Sequence, residues 1–528
     1  MLLSTFAGPF VPEIVLLAAA LLVFLLDVVN VRRTEIAGGI AAAGSGIALL
    51  LVGADLGWAP LAALRTLPAG QIDVSPLVGA PLYAFTSLGL VFQAVFLIAA
   101  FLVALASLSR SGDGRGAPIF FGLLLLATLG MLLVAIASDL IFLLLAIEVT
   151  SLSTYVLVGY TRRDVRSLEA AMKFYIIGAL SSTLSFFGAS LIYGAYGTTN
   201  LFTLRTVAGS VGYPVLALLG LGFLIAGLAF KTTLVPFHAW AVDVYDGAPS
   251  EVSAFLAGAS KKVGIFAFFL VFIGPVLFVR TGGGNPFSGG PLDLGPVLQL
   301  TFGLVAVLTM SVGNVLALQQ REMKRMLAYS SISQAGYLLL GIAIGTAPAI
   351  AGATLQVFAH VFMKAGAFLV VAAVAGLGVG PLIDDWRGLG TRRPWLSVAF
   401  GLMLFSLAGV PLTIGFVSKF VLFSAAVQAQ GYFVWLAVAG LLNSALSVFY
   451  YARVLKVVFF DPGAPAPAPS GAVVGAAGPA VLPVGGIGYG RAVAIALVAV
   501  VIVVLGVYPQ PVLGPIQSAA THFLSSGA

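Results

Sequence analysis

Apolar residues recur along this chain in runs of roughly 18–25 positions, separated by short polar or glycine- and proline-rich segments. A run of that length crosses the hydrocarbon core of a bilayer as an α-helix, at 1.5 Å per residue. The pattern predicts fourteen spans, at about 9–30, 36–57, 80–108, 118–137, 139–160, 169–196, 213–238, 251–278, 298–318, 327–346, 349–377, 396–424, 433–459 and 489–511. The fold class is therefore all-α, a polytopic membrane protein. No linker is long enough to hide a soluble domain. The longest irregular stretch, Asp461 to about Gly490, reads as a flexible Pro/Ala/Gly-rich linker. The segment Gly282–Gly290 lacks the strand and helix that flank a phosphate loop and reads as a turn.

Composition removes the main alternative. A chain of 528 residues would otherwise suggest several soluble domains, but 60% of it is apolar and only 8% charged, against roughly 45–50% and 25% in soluble domains. So few charges cannot cover a water-facing surface. Cysteine is absent, which excludes disulfides, thiolate zinc sites and cysteine-ligated iron–sulfur clusters. The net charge of +7 does not mark a nucleic-acid surface, because the basic residues never cluster on a soluble face. They mark topology. No basic residue precedes the first run, and Arg32 and Arg33 follow it, the reverse of a signal peptide, so that run is expected to stay as a helix. Odd-numbered loops carry Arg32, Arg33, Arg110, Arg115, Arg162, Arg163, Arg166, Arg321, Lys324, Arg325, Arg387, Arg392, Arg393, Arg453, Lys456 and Arg491, whereas even-numbered loops carry Arg65, Arg205 and Arg280. That asymmetry places the odd loops in the cytoplasm and both termini on the outer, periplasmic side.

The remaining basic residues inside spans are all lysines: Lys173, Lys231, Lys261, Lys262, Lys364 and Lys419. Arginine stays protonated at any accessible pH, but a buried lysine can lose its proton, so the partition suits proton uptake and release. The competing reading is that these lysines snorkel or brace helices through ion pairs. It weighs most for Lys173, near a span start. Lys261 and Lys262 lie about 100° apart on one helix and cannot share a face; Lys262 is taken as the structural one. Glu148 is the one acid in mid-span and is expected to face a lysine and share protonation with it. Asp27 and Asp139 lie near span ends and read as interfacial. His238 follows Lys231 by seven residues, on the same face of a continuous helix, with Pro236 between them. Proline inside a span frees a carbonyl and permits a broken helix. Gly409, Pro411 and Gly415 precede Lys419 in the same way. His360 and Lys364, at i and i+4, are placed to pass a proton directly or through water. The titratable groups thus recur across several spans as a lateral chain, with no lining helix of a channel and no nucleotide or cofactor site of a self-powered pump.

At these residues the chain resembles a known family. IEVTSLSTYVLVGY with Glu148, RSLEAAMKFYIIGALSS with Lys173, AFKTTLVPFHAWAVDVYDGAPSEVSAFLAGASKKVGIFA with Lys231, His238 and Lys261, REMKRMLAYSSISQAGY with Lys324 and Arg325, and SLAGVPLTIGFVSKF with Lys419 are similar to the antiporter-like subunit N of proton-pumping NADH:quinone oxidoreductase, respiratory complex I. The likeness covers roughly residues 110–460; the flanking spans are alike mainly in hydropathy.

The resemblance implies two five-helix units of inverted orientation, at 111–280 and 281–460, each with one broken helix. Spans 1–3 (1–110) precede them, and a linker (461–488) and a last span with its tail (489–528) follow. It implies that Glu148 modulates Lys231, that Lys261 is a central relay, that Lys419 is the terminal one, and that Lys173 is functional. His238, His360 and Lys364 complete the expected relay. No cofactor or metal is expected in this chain; FMN, iron–sulfur clusters and quinone belong to partner subunits, whose redox chemistry drives the protons. The expected partners are the other complex I membrane subunits, antiporter-like neighbours in particular, in a bacterial inner membrane.

Two departures stand out. Gln334 occupies a position where the family usually has histidine, and AHVFMKAGAFLV, with His360 and Lys364, looks more like the sister subunits M and L. One reading is that His360 and Lys364 replace the missing histidine. The same family includes subunits of multisubunit sodium/proton antiporters, the runner-up function. A membrane spacer that carries no ions is a third.

Overall fold

The computed structural model describes residues 10–31, 33–67, 82–108, 116–207, 214–276, 294–462 and 486–525. The segment Gly282–Gly290, residues 463–485 of the linker, and Arg32, Arg110, Arg115 and Arg280 lie outside the described residues. The main helices are α1 (Val11–Val28), α2 (Thr34–Asp55), α3 (Ser87–Ser107), α4 (Ala117–Ala135), α5 (Leu140–Val158), α6 (Val165–Tyr196), α7 (Pro214–Thr232) and α8 (Ala239–Gly247). They continue as α9 (Ser250–Ile273), α10 (Leu294–Leu318), α11 (Met323–Ile344), α12 (Ala347–Gly376), α13 (Pro394–Ala408), α14 (Ile414–Ala429), α15 (Phe433–Phe459), α16 (Tyr489–Val507) and α17 (Gln510–Ser525).

Thirteen of the described helices are long and apolar enough to cross a membrane. α13 and α14 are each too short and together make a fourteenth crossing, which agrees with the expected count. The expected span 396–424 is two helices with a break, α13/α14, whereas in the expected span 213–238 the helix α7 stops at Thr232 and α8 begins beyond the span, at Ala239. Helix α17 is an addition to the expected tail. It buries Leu513, Ile516, Ala519, Ala520 and Phe523, a helical period readable from the chain but too short for a span. It packs on the start of α12 and on α3.

The helices sort by what they touch. α9, α11 and α12 are almost wholly enclosed by protein, whereas α1, α6, α15 and α16 leave most of their surface uncovered. That surface is apolar, as a face toward lipid must be; Leu441 and Phe449 on α15 are typical. Trp58, Trp395, Trp435, Tyr489 and Tyr508 stand exposed at helix ends, where an amphipathic ring suits the membrane–water boundary. Association of helices in lipid depends on close approach rather than on hydrophobic expulsion. α2 supplies the means, with Ala37, Gly38, Ala41, Gly44, Ser45 and Ala48 on its buried face. A Cβ on Gly44 would stand 2.5 Å from that of Ala19 on α1.

One buried ion pair ties the last span to the core. Arg491 Nη2 donates to Glu251 Oε1 at 2.8 Å, with both side chains about nine-tenths enclosed, and Nη1 donates to the Ala372 carbonyl at 3.2 Å. Arg491, counted above with a loop, thus sits in the first turn of α16 and fastens it to α9 and α12. Removing one member strands the other charge, at about 3–5 kcal/mol, whereas removing both is far milder. Thermal unfolding in detergent should therefore rank Arg491→Met as strongly destabilised and the double variant Glu251→Gln/Arg491→Met closer to wild type. A double variant as unstable as the sum of the two singles would contradict this account.

Candidate functional site

Both broken helices end in the same way. In α7 the Leu234 amide donates to the Ala229 carbonyl at 2.9 Å and the Thr233 amide to Phe230 at 3.0 Å. In α13 the Val410 amide donates to Phe405 at 3.0 Å and the Gly409 amide to Ser406 at 3.1 Å. This is the Schellman arrangement, which needs a left-handed residue at the turn. Gly409 fills that place at φ 91°, and Thr233 fills it at φ 62°, a strained setting for a β-branched residue. Each break exposes carbonyls in the middle of a span, and lysines collect there.

Lys419, on α14, donates to the carbonyls of Leu407 (2.8 Å) and Ala408 (3.1 Å) and to Ser444 Oγ on α15 (2.9 Å). An ammonium at the negative end of α13 is favoured by the helix dipole as well as by these bonds. Its Nζ also lies 5.1 Å from the centre of the Tyr337 ring, a cation–π distance. Beside it an apolar cavity of about 610 Å³ opens between α14 and α15, lined by Phe416, Phe420, Phe423 and Leu441 and reaching Lys419 and Ser444.

Lys231 sits in the last turn of α7 and donates to Ser151 Oγ on α5 at 2.8 Å. Glu148, one turn before Ser151, accepts a short hydrogen bond from Ser182 on α6. Glu148 and Lys231 line one small cavity with Ser151, Ser181, Ser182 and Ser185. They share its lining without a direct ion pair, Lys231 bonding Ser151 and Glu148 bonding Ser182. The cavity measures about 20 Å³, room for a water by the ~10–15 Å³ needed. His238 does not share a helical face with Lys231. The helix stops at Thr232, and His238 lies beyond the break as the residue preceding α8, with its Nδ1 buried and unpartnered.

The centre of the protein holds the largest concentration of buried cations. π-Helical turns interrupt α9 at Leu256–Ser260 and α12 at Val361–Ala365, and they abut: a Cβ on Gly258 would lie 3.1 Å from that of Ala365. Such turns often mark functional positions. Lys261 points back toward the first unit, its Nζ 4.8 Å from the centre of the Tyr245 ring and without a hydrogen-bond partner. Lys262, fully buried, points the other way. Its Nζ bonds the Ala257 carbonyl and lies 2.7 Å from His360 Nδ1. Lys364 donates to Ser330 Oγ on α11 at 2.6 Å rather than bonding His360, whose Nδ1 faces Lys262.

Two polar rows run toward Lys419, the first of them from this cluster. Ser330 meets the Tyr451 hydroxyl, the Tyr450 ring packs on Tyr451, and Tyr450 donates to Asn314 (3.0 Å), which bonds Asn443 (3.0 Å), the neighbour of Ser444. In the other row, Gln356 donates to Gln334 Oε1 at 2.7 Å and accepts from Ser418, the residue before Lys419. Gln334 therefore keeps a hydrogen-bonding place on the route, without a titratable proton.

Lys173 lies apart from the buried row. It is 42% exposed and pairs with Glu169 (2.8 Å) and Asp243 (2.9 Å). Asp243 also binds Arg325 at 3.0 Å, and these groups line an open cavity of about 290 Å³ at the helix ends. Lys324 caps α8 there, donating to the carbonyls of Asp246 (2.5 Å) and Ala248 (2.7 Å). Asp139 is a helix cap, accepting from the Ile141 and Phe142 amides. Asp243, Lys262, Ser330, Gln356, Asn314 and Asn443 are site neighbours that sequence reasoning missed or set aside. Only Lys262 carried a signal, its offset from Lys261. Among the described residues no cluster of His, Cys, Asp or Glu has the makings of a metal site.

Comparison with known proteins places this arrangement. A family model described as "NADH:quinone oxidoreductase/Mrp antiporter, TM" matches residues 137–447. The chain belongs to that family. F(420)H(2) dehydrogenase subunit N of Methanosarcina mazei is 40% identical over 461 residues, 85% of this chain and 88% of the relative. NADH-quinone oxidoreductase subunit N of Rhodospirillum rubrum is 37% identical over 462 residues, covering 87% and 88%. Among solved structures, respiratory complex I from Thermus thermophilus with bound aureothin contains a chain that superposes with a TM-score of 0.71 at 29% identity, covering 95% of this chain and 98% of that one. The Mrp complex from Dietzia sp. superposes with a TM-score of 0.81 at 22% identity, covering 97% of each chain, which speaks for the fold alone. The family match spans both broken helices and the whole central cluster, and leaves the first four spans and the last outside it. As a family member, the chain is a multi-pass membrane protein that sits among other membrane subunits.

Gly409 offers a direct check on the seating of Lys419. Alanine there faces left-handed strain of about 1–2 kcal/mol, and its Cβ would stand 3.2 Å from Lys419 Cδ. Gly409→Ala should lower the unfolding temperature measurably in detergent. Asp243→Asn, at a half-exposed ion pair, should shift stability by less than about 1 kcal/mol. Equal effects of the two substitutions would contradict the described geometry.

Proposed function

We infer that this chain is the proton-translocating membrane subunit N of an NADH:quinone oxidoreductase, respiratory complex I. Quinone reduction in partner subunits drives protons along its buried lysines, and the chain itself carries protons only. The observation that carries the reading is the row of titratable groups from Glu148 and Lys231, through Lys261, His360 and Lys364, to Lys419. It spans the interior with a broken helix at each end.

Each of these cations is held by neutral acceptors (serine hydroxyls and backbone carbonyls) or by an aromatic face, rather than by a carboxylate. Neutral partners stabilise an ammonium enough to admit it, and release it as an amine without stranding a counter-charge. Two unit charges ~7 Å apart at an effective dielectric of ~20 repel by about 2 kcal/mol. A proton arriving at one lysine therefore promotes loss from the next, and Glu148, the one mid-span acid, is assigned to modulate Lys231 across the cavity they share. Lys173, in its ion-pair network with Asp243 and Arg325 at an open cavity, belongs to the entry side, where solvent meets the helix ends. His238 and Lys364 are assigned to the same relay.

The relatives at 35–40% identity are subunits N of oxidoreductases, and this supports a redox-driven complex over a stand-alone sodium/proton antiporter. One of them is named for F(420)H(2) and others for NADH, which fits a chain whose work is independent of the electron donor. FMN, iron–sulfur clusters and quinone are assigned to partner subunits. The excess of Lys and Arg in odd-numbered loops supports an orientation with both termini on the outer side, and bacterial relatives such as subunit N of Rhodospirillum rubrum support a bacterial inner-membrane setting.

Purification through a tag on this chain should bring down flavin- and iron–sulfur-containing partners with NADH-dependent quinone reduction. Small membrane subunits without redox centres, together with sodium flux, would point to an antiporter instead. In the assembled complex, Lys231→Met and Lys364→Met should each lower proton pumping by roughly a hundredfold or more, the usual scale for loss of a proton-transfer group, with assembly intact. Normal pumping by Lys231→Met would leave only a structural spacer.

A further inference from the structure

Lys262 is the residue in this interior that no proton-carrying role has yet claimed, and it has the most specific contact of all. It is fully enclosed, stands just after the π-turn Leu256–Ser260, and its Nζ lies 2.7 Å from Nδ1 of His360 on another helix. Its second partner is the Ala257 carbonyl, within that same π-turn. His360 Nε2 is buried and has no protein partner. Lys261, one residue back, faces the Tyr245 ring. The two adjacent lysines therefore address opposite halves of the molecule, as their ~100° offset requires.

We propose that Lys262 and His360 form the proton hand-over between the two halves of the chain, the step that Gln334 cannot perform. The proposal rests on the proton-carrying reading above. The chemistry balances. The ammonium of Lys262 gives its proton to Nδ1 of the neutral imidazole, breaking an N–H bond at Nζ and forming one at Nδ1, and leaves an amine and an imidazolium. The imidazolium then releases the proton on Nε2 to the amine form of Lys364, breaking an N–H bond there and forming one at Nζ, which leaves the ring as its Nδ1–H tautomer. Loss of a proton at Nδ1 and gain of one at Nε2 returns it to the starting form before the next transfer. A plain brace would need only the charge and the two hydrogen bonds. A relay needs a group that can give its proton up.

That difference decides the test, made on the assembled complex in inverted membrane vesicles with proton uptake and quinone reduction measured together. Lys262→Gln keeps donors for Ala257 and His360 but has no proton to give. Lys262→Arg keeps the charge but holds its proton. Both should lower protons pumped per quinone reduced by about tenfold or more, while His360→Gln does the same and the double variant is no worse than either single, as for residues acting as one unit. Normal pumping by Lys262→Arg would overturn the proposal in favour of a brace, including the case where Lys262→Gln fails to assemble. Normal pumping by Lys262→Gln, with Lys231→Met inactive, would overturn it and spare the proton-carrying reading. Normal pumping by Lys231→Met would remove that reading itself.

Discussion

A lysine ammonium inside a bilayer-spanning protein has lost its water, and on insertion scales a charge at mid-membrane is unfavourable by at least ~2.5–3.5 kcal/mol. Much of this fold is arranged around that single constraint. The helices that carry Lys261, Lys262, His360 and Lys364 are the ones most fully surrounded by protein. The helices that face outward present Leu, Val and Phe. Carboxylates would seem the obvious remedy for buried cations, yet the row uses them sparingly. Glu148 shares a cavity with Lys231 without touching it, and Glu251 is committed to Arg491. A tight carboxylate partner would hold each lysine permanently charged; hydroxyls and carbonyls leave the proton free to move.

Irregular backbone supplies those acceptors. In a regular membrane helix every interior carbonyl is already bonded. The breaks after Thr232 and Ala408 and the π-turns in α9 and α12 release several of them, and lysines are found at each: Lys419 on Leu407 and Ala408, Lys262 on Ala257, Lys231 beside its own break. The two Schellman ends close with a left-handed residue, glycine in one and threonine in the other. Thr233 stores strain at the break nearest Glu148, where a helix end must be held open rather than allowed to propagate.

The ion pairs divide by location in a way that follows from solvent. At the helix ends Lys173, Asp243 and Arg325 form a half-exposed network, where water screens each charge and no pair decides stability. In the interior the Glu251–Arg491 pair is sealed, and it fastens to the core a span lying outside the family match. One kind of charge pairing stays in contact with solvent at the helix ends and the other is sealed between helices.

The number of spans, the break before Lys419 and the identity of the buried titratable groups were legible from residue order, since run length, proline and glycine placement and side-chain chemistry are local properties. The bilayer acts on them one segment at a time. Which lysine meets which partner was not legible. His238 looked to lie on the same face as Lys231 until the chain was seen to leave the helix at Thr233. Lys262 looked like a brace until it was found against His360, 98 residues away. Lys173 found Asp243, 70 residues on, and a row of tyrosines and asparagines joined Lys364, through Ser330, to the surroundings of Lys419. Those contacts depend on how far each helix is rotated and where a π-turn shifts its register. Rotation and register are settled by packing against neighbours distant in the chain, and only the folded interior contains that information.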